Sequence, residues 1–256
     1  MIKQGGNDTS WDKVAGWYDR HVSEDSDHQR DLIIPGALRM LEPKAGEKIL
    51  DIGCGQGAFS CKLASLGVQV TGIDSSPKLI AIAKKRSSGS QNIQYKVADA
   101  AKLSGEASGN FDAVCSILAI QNMDPLDDIV KSSSRVLKSR GRMLWVLNHP
   151  CFRIPRQSGW GFDEKRKLQY RRVDRYMSPL KIPIQMHPGA APNIHTWTFH
   201  RSLTEYFGAL NKYGFVVDKL EEWVSQRKSR PGKIARAENM SREEIPMFLA
   251  IEAVKL

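Results

Sequence analysis

The chain has 256 residues, 41% of them apolar, enough for one domain with a substantial buried core. No apolar run approaches the roughly 20 residues needed to span a bilayer, and the opening MIKQGGNDTSWDK has neither the apolar centre of a secretory signal nor an Arg-rich presequence. A cytoplasmic protein with no membrane partner is therefore expected. The net charge of +10 favours anionic partners, nucleic acid or phosphorylated metabolites among them, and reads equally well as a solvated basic face.

In chain order, residues 29–42 have a helical pattern that Pro35 should delay or kink. Lys48–Ile52 (KILDI) reads as a short buried strand. A helix begins at Gly57, runs to Leu66 and stops at Gly67. Gln69–Ile73 is a second strand, and Pro77 opens a helix that continues to Arg86. Ile93–Val97 and Phe111–Leu118 are the third and fourth strands, with a turn at Asp124-Pro125. Leu126–Leu137 is helical, closed near Gly141, and Arg142–Leu147 is the fifth strand. This alternation predicts an α/β fold, a parallel sheet covered by helices on both faces.

After Pro150 the pattern changes. Residues 151–193 are rich in Arg, Pro, Gln and aromatics with weak periodicity, and read as an insertion lying over the sheet edge. Regular structure returns with a strand at Thr196–Phe199 and a helix at Ser202–Tyr213 closed by Gly214. Further strands are expected at Phe215–Trp223 and Phe248–Val254, separated by a second basic stretch, 225–246. Cys54, Cys61, Cys115 and Cys151 form no CxxC pair and no cluster with zinc-finger spacing, so reduced thiols and no metal site are expected.

The most informative segment is Ile49-Leu50-Asp51-Ile52-Gly53-Cys54-Gly55-Gln56-Gly57-Ala58. A strand feeds a glycine-rich turn and a helix follows, the context in which glycines let backbone approach a nucleotide without a Cβ in the way. Asp74, with Ser75 after it, ends the second strand about twenty residues on, where an acid can accept both ribose hydroxyls. Asp99 follows the third strand. Taken singly, Asp51 reads as well as a turn cap and Asp99 as a helix N-cap; the shared order and spacing favour a binding role.

Asp51–Gly57 resembles the first motif of class I S-adenosylmethionine-dependent methyltransferases. Asp74, Ala98-Asp99-Ala100 and Phe111-Asp112-Ala113-Val114 are similar to later motifs of that family, and the closest subgroup is the small-molecule, methyltransferase type 11-like group. Trp11–Asp19 resembles its N-terminal cap, and Ile245–Leu249 the run into its last strand. The resemblance covers most of the chain and is weak through 151–193. It implies a single Rossmann-like domain over 1–256, with a mostly parallel seven-stranded sheet and an acceptor lid inserted after the fifth strand. The parts would be a helical cap (1–45), a cofactor-binding core (46–150), the lid (151–195) and C-terminal strands and helix completing the sheet (196–256).

The resemblance also implies roles. Gly53, Gly55 and Gly57, with Cys54 between them, would flank the methionine part of S-adenosylmethionine, the product being S-adenosylhomocysteine. Asp74 and Ser75 would hold the ribose, and Asp99 the adenine amino group with Ala100 beside it. Ile117–Gln121 would touch the methionine end, while Tyr18 and Trp17 close over the cofactor. Asp51, an acid upstream of the turn, would repel a phosphate but suits an ammonium group, which argues against a dinucleotide.

The methyl acceptor is expected to be a small molecule, of anionic or aromatic character, methylated at O, N or C. If a base is needed, His149 at the C-terminal edge of the sheet is the first candidate, followed by His195 and His200 beside the aromatic strand and by His21 after the cap. The insertion mixes Trp160, Phe162, Tyr170 and Tyr176 with Arg153, Arg156, Arg166, Arg171, Arg172 and Arg175, which suits an anionic, planar acceptor and equally a solvated basic flap. An RNA methyltransferase is the enzymatic alternative, weakened because Gln121-Asn122-Met123-Asp124 stands where an Asn-Pro-Pro-Tyr-type tetrapeptide would be. A non-catalytic cofactor-binding scaffold is the remaining one.

Overall fold

The computed structural model describes residues 11–16, 28–185 and 194–256. Strands β1 (Lys48–Ile52), β2 (Gln69–Asp74), β3 (Ile93–Val97), β4 (Phe111–Ile117) and β5 (Leu137–Asn148) pair in parallel, and β10 (Phe215–Trp223) and β11 (Phe248–Lys255) complete the seven-stranded sheet. The order is β3-β2-β1-β4-β5-β11-β10, with β11 antiparallel to both neighbours. The order reverses at β1, so the crevice of this α/β sheet opens between the C-terminal ends of β1 and β4.

Alternation along the strands assigns side chains to two apolar layers. Leu50, Val114, Met143 and Trp145 pack under α4 (Leu126–Val136) and α5 (Leu203–Lys212). Ile49, Ala113, Cys115 and Leu144 face α1 (Ile34–Leu41) and α2 (Ala58–Ser65). A smaller cluster joins α3 (Pro77–Arg86) to Tyr95 and Cys54. Among the described residues, no helix is long and apolar enough to cross a membrane.

Pro35 shapes the first helix as its chemistry demands. It stands in the first turn of α1, where a missing N–H costs nothing. The turn before it, Gln29–Ile33, is π-helical, with the Ile34 N–H reaching back to the Gln29 carbonyl.

Three regions differ from the sequence reading. The insertion is not structureless: β6 (Ser158–Asp163) and β7 (Leu168–Val173) form an antiparallel hairpin. Its turn is set by Asp163, whose Oδ1 accepts from the Lys165 and Arg166 N–H groups at 2.9 Å each. Secondly, β9 (Thr196–His200) does not complete the main sheet. It pairs with β8 (Leu180–Ile184) of the insertion as a separate hairpin. Finally, the basic stretch after β10 contains a helix, α6 (Ala235–Glu244), tied to β7 by a hydrogen bond from Ser241 to the Gln169 side chain.

Candidate active site

The glycine-rich turn after β1 is held by backbone. The N–H groups of Gly53 and Cys54 both donate to the Ile73 carbonyl, at 2.8 and 2.9 Å, which stitches the turn to β2. Gly53 has φ +70° and faces the post-β4 loop so closely that a Cβ there would lie 2.4 Å from Met123 Cε and 2.5 Å from Ala119 Cβ. Gly57, at φ +80°, forms the left-handed N-cap of α2, and a Cβ there would strike the Tyr95 hydroxyl.

Around this turn lies a cleft of about 290 Å³. Its walls include Gly53, Gly55, Asp74, Ser75, Asp99, Ala100 and Ile117, seven of the residues singled out in the sequence. Asp74 accepts from the Gly55 N–H at 3.0 Å and the Ser76 N–H at 2.9 Å. A carboxylate offers about four lone-pair positions, so two remain for a ligand. Burial pushes the Asp74 carboxyl above its ordinary range, against the pull of those two N–H donors. Asp99 Oδ1 accepts from the Ala101 N–H at 2.9 Å, closing an Asx turn, while Oδ2 lies 3.9 Å from Lys102 Nζ. The capping and ligand-facing readings of Asp99 are thus compatible.

Other expectations fall elsewhere. Asp51 does not line the cleft. Its side chain points to the α2 face, is 1% exposed, and accepts from Ser60 Oγ at 2.6 Å. Burial pushes its carboxyl up to about 6, against the Ser60 hydroxyl and Cys115 thiol that pull it down. Cys54 packs with Ile80, Ala83 and Tyr95 beneath the turn, and burial raises its thiol well above the usual range. Gln121 lines a second cavity instead. Tyr18, Trp17 and His21 lie outside the described residues.

The second cavity, of about 280 Å³, adjoins the first: Trp11, Leu118, Asn122 and Phe199 line both. Leu118 closes β4 in a left-handed conformation, φ +54°, uncommon for a branched side chain and characteristic of strain held at a site. Its N–H donates to the Val146 carbonyl at 2.7 Å, and its carbonyl accepts from Gln121 Nε2 at 2.9 Å. The β8–β9 hairpin is latched across this loop by Thr198 Oγ1 donating to Asn122 Oδ1 at 2.8 Å and by Arg201 donating to the Met123 carbonyl at 2.8 Å. Asp12 anchors the N-terminal turn that carries Trp11, by accepting from Ser76 Oγ and from the Lys78 N–H at the start of α3.

The histidines separate clearly. His149 is 1% exposed and lines neither cavity. Its Nδ1 accepts from the Cys151 N–H at 3.2 Å, so Nε2 carries the proton and donates to Glu222 Oε1 at 2.7 Å. Burial lowers its pKa, and the neutral ring joins β5 to β10. His195 stacks edge-on against Trp197, centroids 4.7 Å apart, and lines neither cavity. His200 lines the second cavity, with Nε2 against the Tyr176 carbonyl at 2.7 Å.

The insertion contributes to the second cavity through Arg153, Pro155 and Ile184. Trp160, Phe162, Tyr170 and Tyr176 do not line it. Trp160 instead carries the Arg153 and Arg171 guanidiniums, 5.7 and 5.1 Å from its ring centroid. Sequence reasoning missed Arg201, whose position just before the Ser202 capping box marks it only as a residue at the start of α5. Among the described residues, no three His, Cys, Asp or Glu side chains are placed to hold a metal ion.

Residues 50–145 match a family model described as a methyltransferase domain. Over 106 residues the chain is 36% identical to a ubiquinone biosynthesis O-methyltransferase of Xanthomonas oryzae, covering 41% of this chain and 44% of that protein. It is 35% identical over 115 residues to a demethylmenaquinone methyltransferase of Tropheryma whipplei, covering 44% and 47%. The chain thus matches less than half the length of these curated relatives. A solved S-adenosylmethionine-dependent methyltransferase from Mesorhizobium loti superposes with a TM-score of 0.68 at 26% identity, covering 86% of this chain and 96% of the other.

Proposed function

We propose that the protein is an S-adenosylmethionine-dependent methyltransferase that methylates an O, N or C centre of a small molecule seated in the second cavity, a reading supported by the methyltransferase-domain match over residues 50–145 and the likeness to a solved enzyme of that class. The observation that carries this reading is the pair of adjoining cavities. One is walled by the glycine turn, Asp74 and Asp99, the other by the lid hairpin, and they share Leu118 and Asn122. The names of the relatives, both of quinone methyltransferases, favour a small-molecule acceptor. The free state of the described cysteines fits a reducing cytoplasm.

The first cleft fits the cofactor on its own chemistry. Gly53 and Gly55 line the cleft with backbone alone, Gly53 letting the post-β4 loop close against the turn, and the two remaining lone-pair positions of Asp74 suit a ribose diol. Asp99 Oδ2 is available to an adenine amino group, with Ala100 and Ile117 as apolar neighbours. S-adenosylmethionine supplies, when bound, a methyl group already activated on a sulfonium. The protein's task is therefore alignment and exclusion of water. Trp11, Trp197 and Phe199 provide an apolar cover for the cleft.

His200 is the base we assign, for an acceptor that must lose a proton. A carbonyl can only accept, so the contact with Tyr176 places the proton on Nε2 and leaves Nδ1 with the lone pair. His149 and His195 have structural roles in this reading. Calorimetric titration with S-adenosylmethionine and, separately, NAD tests the cofactor assignment: micromolar binding of the first alone is expected. Folded protein that binds neither would sink the proposal. Transfer of labelled methyl to an acceptor panel then tests the reaction.

A further inference from the structure

The geometry points to an anion subsite in the second cavity, formed by Arg201 and Arg153, so that the acceptor is a small carboxylate bearing an O–H or N–H donor. The inference deepens the proposed function and rests on it.

Arg201 is 6% exposed and lines the cavity. Its Nη2 is engaged, donating to the Met123 carbonyl at 2.8 Å and to Asp124 Oδ1 at 2.7 Å. Its Nη1 is buried and makes no hydrogen bond of good geometry among the described residues, although the Tyr206 hydroxyl lies close to the guanidinium. Buried guanidinium N–H groups are costly to leave unmade, and folded proteins rarely leave them so without a ligand or function. Arg153, on the opposite segment after β5, repeats the pattern: its Nε is buried and unpartnered. The Trp160 face holds the Arg153 guanidinium from one side but offers Nε no acceptor. Among the described residues no carboxylate pairs with Arg153, and burial together with the nearby Arg171 charge pushes its pKa down. A bound anion would relieve both effects.

The charge inventory of the wall agrees. The residues lining this cavity include two arginines and His200 but no Asp or Glu. Asp124, which balances Arg201, lines the cofactor cleft instead. An anion entering the second cavity therefore meets two guanidinium groups, that of Arg201 already paired with Asp124 behind the wall, and no acidic side chain on the wall itself. A third unmade bond specifies the rest of the ligand. Gln121 is 6% exposed, and its Nε2 donates to the Leu118 carbonyl, which can only accept. That contact orients the amide, leaving Oε1 of this cavity-lining residue buried and unpartnered, an acceptor that requires a donor. Two donors and one acceptor left unmade around one cavity describe a hydroxy- or amino-carboxylate, with Phe199 and Trp11 as its apolar contacts.

The test uses the whole protein saturated with S-adenosylhomocysteine. It is screened by thermal shift and then calorimetry against hydroxy- and amino-carboxylic acids, each paired with its neutral amide and its phosphate monoester counterpart. At least one acid should bind ten times more tightly than its amide. Arg153→Met, at a half-buried side chain with no ion pair among the described residues, should abolish that preference, and Arg201→Lys should weaken it tenfold. S-adenosylhomocysteine affinity should stay within twofold in Arg153→Met, the variant that leaves the post-β4 loop and its Arg201 latch untouched. Phosphate esters outbinding the acids would overturn the carboxylate assignment. Acids and amides binding alike, no hit in any class, or a preference indifferent to Arg153→Met would overturn the subsite while leaving cofactor binding intact. Failure of S-adenosylhomocysteine itself to bind would overturn both readings.

Discussion

Asp74 is the residue on which the cofactor reading is most exposed to experiment. Its carboxylate makes two bonds within the protein, from the Gly55 N–H at 3.0 Å and the Ser76 N–H at 2.9 Å, and has two lone-pair positions to spare. Asp74→Ala removes both sets. Loss of the ligand-facing pair should weaken binding by roughly 1–3 kcal/mol, about 5- to 150-fold in Kd. The two stranded backbone amides should lower the stability of the fold by roughly 1–3 kcal/mol as well. Asp74→Asn separates the effects. Its single carbonyl can keep one backbone amide, and its NH₂ can still donate to one hydroxyl, so both losses should be smaller. Calorimetric titration with S-adenosylhomocysteine, run beside urea denaturation of each variant, measures the two quantities independently. Folded Asp74→Ala that binds within about threefold of the parent protein, below the lower end of the range just derived, would refute the assignment of Asp74 to the ribose.

Three further outcomes are expected. Gly53→Ala forces a Cβ to within 2.4 Å of Met123 Cε at φ +70°. Left-handed strain alone costs roughly 1–2 kcal/mol, and displacement of the post-β4 loop should weaken cofactor binding about tenfold or more; unchanged affinity would mean the loop is not part of the site. Burial raises the folded pKa of Asp51 to about 6, above an unfolded value of about 3.9. Its contribution to stability is therefore full below about pH 4 and is lost as the pH rises through about 6, a change on the order of 3 kcal/mol. Asp51→Asn should remove that component, so parallel stability–pH curves for the two proteins would contradict it. His200→Gln should lower turnover of a proton-losing acceptor by about a hundredfold or more with S-adenosylhomocysteine affinity unchanged, and equal turnover would remove His200 from the chemistry.

The main sheet was readable because its central strands contain short apolar runs buried on both faces, while the edge strands β3 and β10 alternate apolar and polar residues. The misreadings have one physical source. Strands β6 and β7 bury neither face well, so Trp160 and Phe162 alternate with glycine, and Tyr170 is followed by two arginines, without the inside–outside contrast that marks a strand. Helix α6, ARAENMSREE, packs through Ala237 and Ser241 onto that hairpin rather than onto the apolar core. Strand β9 was visible, but its partner was not. Thr196–His200 pairs with Leu180–Ile184, and pairing across a separation of that kind leaves no local trace in either segment.

The two halves of the site differ in legibility for a related reason. The first cleft, proposed for the cofactor, is shaped largely by backbone: glycines in left-handed conformations, an acid at a strand end whose oxygens collect N–H groups, a turn after the third strand. Such features need particular residue types at fixed local spacing, and the spacing is what a sequence displays. Asp51, Cys54 and Gln121 fall outside the cleft, Asp51 because strand alternation turns it toward α2 while its neighbours Ile52 and Gly53 face the other layer and the cleft. The second cavity is assembled by side chains from segments far apart in the chain: Gln121 after β4, Arg153 after β5, His200 and Arg201 at the end of β9. No local rule links these positions, and an arginine in a basic chain is individually uninformative. What singles out Arg153 and Arg201 is the bond each fails to make, and a missing bond is a property of the packed structure alone. On the proposed reading, the class of acceptor follows from the unmatched donors and acceptors of that cavity.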